Sequence, residues 1–193
     1  MLYIVKRNGQ KEAYNSEKII NAVRKSFLGT GSEASEEELL NILKLTEAKT
    51  GIRGDGDEIP QLTVEAIQDK VEEALMEGGH FAEAKAYILY RRKRTELRDA
   101  RRFMTENTGV LGLSEVLLGI EKDFSGEEYS LMRLSEKFRS FIKPDMDTEA
   151  RLEALTKAAV ELTDENASRW GYIAARILSF SFHRRLCGEL EKR

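Results

Sequence analysis

The sequence predicts a mostly α chain, with one small β-hairpin at its N-terminus and two helical domains in tandem. Three observations carry this. Apolar residues recur at spacings of three and four through most of the chain, behind residue types that cap helices. Only two prolines, Pro60 and Pro144, occur in 193 residues, which suits long helices with few rigid turns. Strand-like residues flank Asn8-Gly9, a dipeptide that reaches positive φ easily and fits a type I′ hairpin turn.

Taken in order, residues 2–14, LYIVKRNGQKEAY, give the hairpin. Asn15 or Ser16 then caps a helix over about 16–28, with Ile19, Ile20, Val23 and Phe27 on one face and Gly29 ending the run. Ser35 and Glu38 make a capping box before Leu39, Leu40, Ile42 and Leu43, and this second helix fades near residue 49 into the glycine-rich GIRGDGDEIP. Thr63 caps a third helix carrying Ile67, Val71 and Leu75, which Gly78-Gly79 breaks. A fourth runs from about Phe81 past Arg94. After Arg102 the sequence loosens through FMTENTGVLGLS, which puts a domain boundary there, between 1–102 and 103–193. Helices follow at roughly 113–122, 127–141, 147–163 and 168–187, with no strand pair before them.

The two halves resemble each other. IQDKVEEAL…FAEAKAYILYRRKR and LTKAAVEL…WGYIAARILSFSFHRR are each a helix, a polar break, then an alanine-bearing helix ending in a basic cluster. Ala84 and Ala86, like Ala174 and Ala175, leave room for a neighbouring helix to approach closely. Chance likeness between amphipathic helices is the plain alternative, and the shared order of features favours duplication.

Composition narrows the function. With 41% hydrophobic and 34% charged residues, global disorder is excluded. Lys and Arg number 31 against 34 Asp and Glu, a net charge of −3, so no diffuse positive field of the kind that drives non-specific DNA binding exists. A single cysteine, Cys187, excludes an intramolecular disulfide and a CxxC zinc site, and His80 and His183 do not replace one. Those three residues have no spaced partners and read as structural. The N-terminus, MLYIVKRNG, is charged too early for a signal peptide, and no apolar run reaches the roughly eighteen residues of a membrane span. The expected compartment is the cytoplasm, with no metal and no membrane partner.

Few residues could carry chemistry. Lys6, Arg7 and Gly9 place two cations and an exposed backbone at the hairpin turn, where phosphate oxygens could be held by charge-assisted hydrogen bonds. A solvated charged turn is the plain reading. Glu12, Asn15 and Lys18 follow closely and supply the oriented acceptors and donors that a base or ribose needs. Thr63, at a helix N-terminus, offers a hydroxyl and free N–H groups to a phosphate, or is simply a cap. The run YRRKRTELRDARR, with Tyr87 and Tyr90 as stacking faces, reads either as a nucleic-acid surface or as a helix end whose cations complement the macrodipole or gather at a polyphosphate. The acidic overall balance favours the second. No GxxxxGK[ST], no GxGxxG and no Ser/His/Asp set occurs, so no catalytic constellation is present.

VKRNGQKEAYNSEKI at 5–19, LTVEAIQDKVEEALM at 62–76 and AKAYILYRRKR at 84–94 together resemble the ATP-cone, the allosteric nucleotide-binding domain of ribonucleotide reductases. The KRxG, ExxN and AxAYIxYRxxR elements stand in the family's order, over about residues 1–95. AAVELTDENASRWGYIAARILSFSFHRR, at 158–185, resembles the closing part of the same domain at the N-terminus of class I large subunits, without a KRxG hairpin. The resemblance implies an intact cone followed by a partial one that has lost nucleotide binding. It implies ATP or dATP as effector, with Mg2+, ATP activating a ribonucleoside-diphosphate reductase and dATP switching it off through an inactive homo-oligomer. It further implies, as partners, a catalytic barrel on the same parent chain and a radical-generating small subunit. By motif, Lys6 and Arg7 would hold phosphates, with Arg94 at the position of a family lysine. Glu12, Asn15 and Lys18 would contact base and sugar, Val5 and Ile19 would line the adenine pocket, Tyr90 would pack nearby, and Thr63 would lie by the phosphates. Where other members place a His or Asp four positions after the threonine, this chain has Ile67, with Gln68 next to it. Radical reduction in the family needs several cysteines, so this segment is expected to bind nucleotide and not to reduce it. The rival readings are the cone of a transcriptional repressor of reductase genes, which would carry a four-cysteine zinc ribbon, and a purely structural helical interaction domain.

Overall fold

The computed structural model describes residues 2–7, 9–52, 62–124 and 126–190. Their packing divides the chain into two compact units, 1–93 and 94–193.

In the first unit, β1 (Tyr3–Val5) pairs antiparallel with β2 (Lys11–Ala13), setting Tyr3 opposite Ala13, Ile4 opposite Glu12 and Val5 opposite Lys11. Asn8 lies outside the described residues. Gly9 sits at φ 79°, in the left-handed region its place in a turn calls for. The hairpin closes through the Lys6 N–H donating to the Gln10 carbonyl and the Gly9 N–H donating to that of Lys6. The loop is therefore Arg7 to Gly9, one residue longer than a type I′ turn would make it.

Three helices follow: α1 (Ser16–Gly29), α2 (Glu36–Thr50) and α3 (Val64–Glu77). Each begins where its cap predicts. The side chains of Asn15, Ser35 and Thr63 accept the N–H groups of Glu17, Glu38 and Ala66, and Ser35 with Glu38 completes the capping box. Most of the predicted GIRGDGDEIP loop lies outside the described residues. The core is formed by Ile4, Val23, Phe27, Leu39, Val71 and Leu75, with Ala84 and Tyr87 from the next helix. His80 is structural as expected, its ring edge-on to Phe27 with centroids 5.0 Å apart.

That next helix, α4 (Phe81–Thr108), corrects the sequence reading, because it continues past Arg102 instead of loosening there. The cap-type residues turn their side chains back on the helix. Thr105 donates to the Arg101 carbonyl, Asn107 to that of Phe103 and Thr108 to that of Met104, while Met104 itself is fully buried. The helix stops at Gly109, at φ 65°.

The second unit holds α5 (Leu113–Asp123), α6 (Leu131–Arg139), α7 (Thr148–Glu161) and α8 (Trp170–Leu190). The helix predicted over 127–141 is broken: Glu127–Tyr129 is a 3-10 turn, and Ser130 caps α6 anew. The break lets Tyr129 enter the core against Trp170, ring centroids 6.0 Å apart. Trp170 is wholly buried, its indole N–H donating to the Glu128 carbonyl at 2.9 Å. Around it pack Leu117, Ile120, Leu134, Phe138, Leu155 and Ile173. His183 and Cys187 are not core residues: both are exposed on α8, with the sulfur 3.6 Å from the His183 Nδ1, because a spacing of four puts them on one helix face. Among the described residues, no helix is long and apolar enough to cross a membrane.

Candidate functional site

One backbone contact organises the first unit's polar end. The outer edge of β1 does not face solvent. The Val5 N–H donates to the Leu62 carbonyl at 2.8 Å, and Val5 and Thr63 form a parallel bridge. The hairpin is thereby stitched to the N-terminus of α3, and Lys6 and Arg7, the residues after Val5, emerge beside the Thr63 cap. The positive end of a helix and two cations thus share one corner of the unit.

The side chains tie this corner together. Arg7 forms an ion pair with Glu65, in the first turn of α3. Glu12, on β2, takes Lys6 at 3.1 Å and Lys18, from the first turn of α1, at 2.7 Å. The Lys18 hydrogen bond first, and then that of Lys6, holds the Glu12 carboxyl below the usual range. Among the described residues, Lys6, Arg7 and Lys18 meet Glu12 and Glu65 at this corner, where an anion could compete with the two carboxylates for the cations. Val5 is half-buried, while Ile4 and Ile19 are buried and form an apolar floor next to the charges.

The sequence-predicted residues divide into groups. Lys6, Glu12 and Lys18 are in direct contact, Val5 adjoins Thr63, and Arg7 reaches α3 through Glu65. The Asn15 side chain is engaged as the α1 cap, and that of Thr63 as the α3 cap. Tyr90 is exposed on α4. Arg94 lies one turn further along the same helix, in the second unit, where its guanidinium bonds Glu121 of α5 at 3.0 Å.

Sequence reasoning missed Glu65 and Arg91. Glu65 stands two residues after the cap, and an acidic residue in a first helical turn looks like ordinary dipole chemistry. Arg91 was submerged in the basic run. Its side chain is only 18% exposed and binds both Asp69, at 2.9 Å, and Glu72 of α3. Below it, Tyr87 is buried, and that burial pushes its hydroxyl up to about 12. One further polar atom is conspicuous: the Gln68 Oε1, on α3, is buried with no hydrogen-bond partner. Buried acceptors are nearly always satisfied.

The match to known families covers residues 2–96 and falls on the ATP cone domain. Residues 2–96 are an ATP cone domain. The cone's cations and apolar floor fit the ATP or dATP that this assignment implies. Over 196 residues the chain is 37% identical to the ribonucleoside-diphosphate reductase subunit alpha of Treponema pallidum (strain Nichols), a match covering 99% of this chain and 23% of that protein. Subunits of the same name from Chlamydia trachomatis serovar D and Chlamydia muridarum are 35% and 34% identical over 105 and 106 residues, each match covering 52% of this chain and 10% of theirs. The chain thus spans less than a quarter of the length of these curated relatives. The cone and the unit that follows it are related together to a reductase alpha subunit, since the Treponema match runs through both.

Proposed function

We propose that this chain is an allosteric regulatory region of a ribonucleoside-diphosphate reductase: the first unit binds ATP or dATP, ATP activating the enzyme and dATP inhibiting it through a homo-oligomer. The β1 to α3 stitch carries the reading, because it sets Lys6 and Arg7 beside the Thr63 cap and an apolar floor. Arg94, also a phosphate ligand in this reading, would have to leave Glu121. Tyr90 packs near the site. The catalytic barrel of a longer parent chain and a radical-generating small subunit are its partners, and the cytoplasm is its compartment. In this reading Mg2+ accompanies the nucleotide as a counter-ion on its phosphates.

The mechanism follows from the ion pairs. A phosphate competes with Glu12 and Glu65 for the N–H donors of Lys6 and Arg7, and binding it loosens both ion pairs. The Glu12 carboxylate is then available to a sugar hydroxyl, alongside Asn15 and Lys18. Loosening Arg7 from Glu65 also slackens the tie between hairpin and α3, so occupancy of the site is felt by the helices. ATP and dATP differ only at the 2′ position. Each must favour a different arrangement of these elements, and coupling of this kind is usually about 1 to 3 kcal/mol.

The second unit is, in this reading, a degenerate cone. α3 and α7 are both 14 residues long. Aligned from their caps, Val71, Ala74 and Leu75 match Leu155, Ala158 and Ala159, all buried. The cap itself changes from Thr63 to Asp147, which repels a phosphate where a hydroxyl would receive it. Glu149, at the position of Glu65, is held by Arg184 and Arg185 instead of by a hairpin arginine. Without a KRxG hairpin the second half lacks the main phosphate and base ligands and, in this reading, takes no nucleotide.

Calorimetric titration with ATP and with dATP tests the reading, and no heat from either at millimolar concentration sinks it. Lys6→Ala and Arg7→Ala should each weaken triphosphate binding by about 1.5 to 3 kcal/mol, the scale of a charge-assisted contact. Unchanged affinity removes the residue from the site. The reductase reading is preferred to a gene repressor because the matched relatives are reductase alpha subunits.

A further inference from the structure

We infer that Glu65 is the site's own anion: its carboxylate holds a phosphate's seat beside Arg7 and the start of α3 until nucleotide displaces it, and so sets how much nucleotide the first unit needs. The inference rests on the first unit binding ATP or dATP. It gives Glu65 a role opposite in sign to those of Lys6 and Arg7, since its loss should tighten binding.

The seat has two positive sides. One is the first turn of α3, whose N–H groups carry the partial charge of a helix N-terminus, with Thr63 accepting that of Ala66 at 3.1 Å. The other is the Arg7 guanidinium, which the bridge between Val5 and Thr63 brings to this helix end. A phosphate suits both. The anion that meets both in their place is the Glu65 carboxylate, which stands in the first turn of α3 and pairs with the Arg7 Nε.

Glu12, the other carboxylate of the corner, is placed differently. It takes Lys6 from the hairpin and Lys18 from α1, so it keeps a counter-charge when one of them turns to a ligand. Glu65 has Arg7 as its one ion-pair partner among the described residues. Once Arg7 turns to a phosphate, Glu65 is left as a like charge at the same helix end. It therefore opposes binding twice, through the pair that must open and through the repulsion that follows. The side chains of Arg7 and Glu65 are 40% and 36% exposed, so both contributions are modest and screened by salt.

Calorimetric titration of the whole chain with ATP tests this, comparing wild type, Glu65→Gln, Arg7→Ala and the double variant. Glutamine keeps the length of the side chain and an acceptor for Arg7 while removing the charge, and a change at this exposed position leaves the core intact. At about 50 mM NaCl, Glu65→Gln should bind ATP about 3- to 10-fold more tightly than wild type, the scale of an exposed ion pair with a like charge beside it. In the Arg7→Ala background the same change should gain less than about 2-fold, because the pair it releases is already gone. At about 0.5 M NaCl the gain should shrink towards none. A wild type that binds ATP and a Glu65→Gln that binds no more tightly overturn the inference and leave the nucleotide site standing. A gain that persists in full without Arg7, or at high salt, also overturns it, since Glu65 would then act by packing. No binding by either wild type or Glu65→Gln overturns both the inference and the site.

Discussion

The α3–α4 seam of the first unit and the α7–α8 seam of the second use helices of one pattern to opposite ends. In the first, an arginine lies along the seam and spends its charge on two carboxylates of the facing helix. In the second, with Ala84 aligned on Ala174, Ser181 stands at the matching position and the seam is open and apolar. At the polar end the units differ again. The first unit's Lys6 and Arg7 stand on a hairpin and pair with Glu12 and Glu65, whereas in the second unit the position of Glu65 is taken by Glu149, which pairs with Arg184 and Arg185 of a helix. A helical frame kept by core packing is free to exchange its polar residues.

The largest test of that separation is a core deletion. Trp170→Ala removes a wholly buried ring and strands the Glu128 carbonyl. It should cost about 3 to 5 kcal/mol in the unfolding of the second unit, while the ATP-dependent rise in the first unit's melting temperature persists. Loss of that rise would show that the frames are not independent. Next comes the seam. Arg91→Ser should destabilise the first unit by about 1 to 3 kcal/mol in denaturant melts, because Glu72 is left in a partly buried site without its partner. A neutral result would mean that the arginine only covers the seam.

The caps give a finer comparison. Thr63→Ala and Asp147→Ala should each cost about 1 kcal/mol as lost N-caps. Only the first should also weaken ATP in calorimetry, and equal effects on affinity would break the distinction between the two helix ends.

The smallest effect concerns pH. Lys18, then Lys6, holds Glu12 below the ordinary carboxylate range. A carboxylate lowered in the folded state contributes stability above its unfolded value and loses it only as pH falls through the folded one. Glu12 should therefore stay ionised through the pH at which ordinary glutamates titrate, followed by the chemical shift of its carboxyl carbon. Lys18→Met should move that titration upward, and no movement would mean that the tie is absent in solution.

Caps, breaks and periodicity were legible because each is settled within a few neighbouring residues: Asn15, Ser35 and Thr63 begin their helices as read. The extent of α4 was not, since Thr105, Asn107 and Thr108 are cap-type residues whose hydrogen bonds could have been spent on a turn. The burial of Met104 favours spending them on the helix. The cone's motif residues could be named, but not the partners that restrain them. Arg7 and Glu65 are 58 residues apart and meet only because β1 docks on the strand-like entry to α3.

By itself the sequence determined the hairpin, most of the helix starts and the kinship with the cone, since these rest on local propensity and on residues present or absent. Tertiary structure alone decided which carboxylate neutralises which cation, that Gln68 keeps an unsatisfied acceptor, and that Ser181 opens a seam which Arg91 closes. Ion pairing and cavity volume depend on distances between segments far apart in the chain, and no spacing along one segment encodes them.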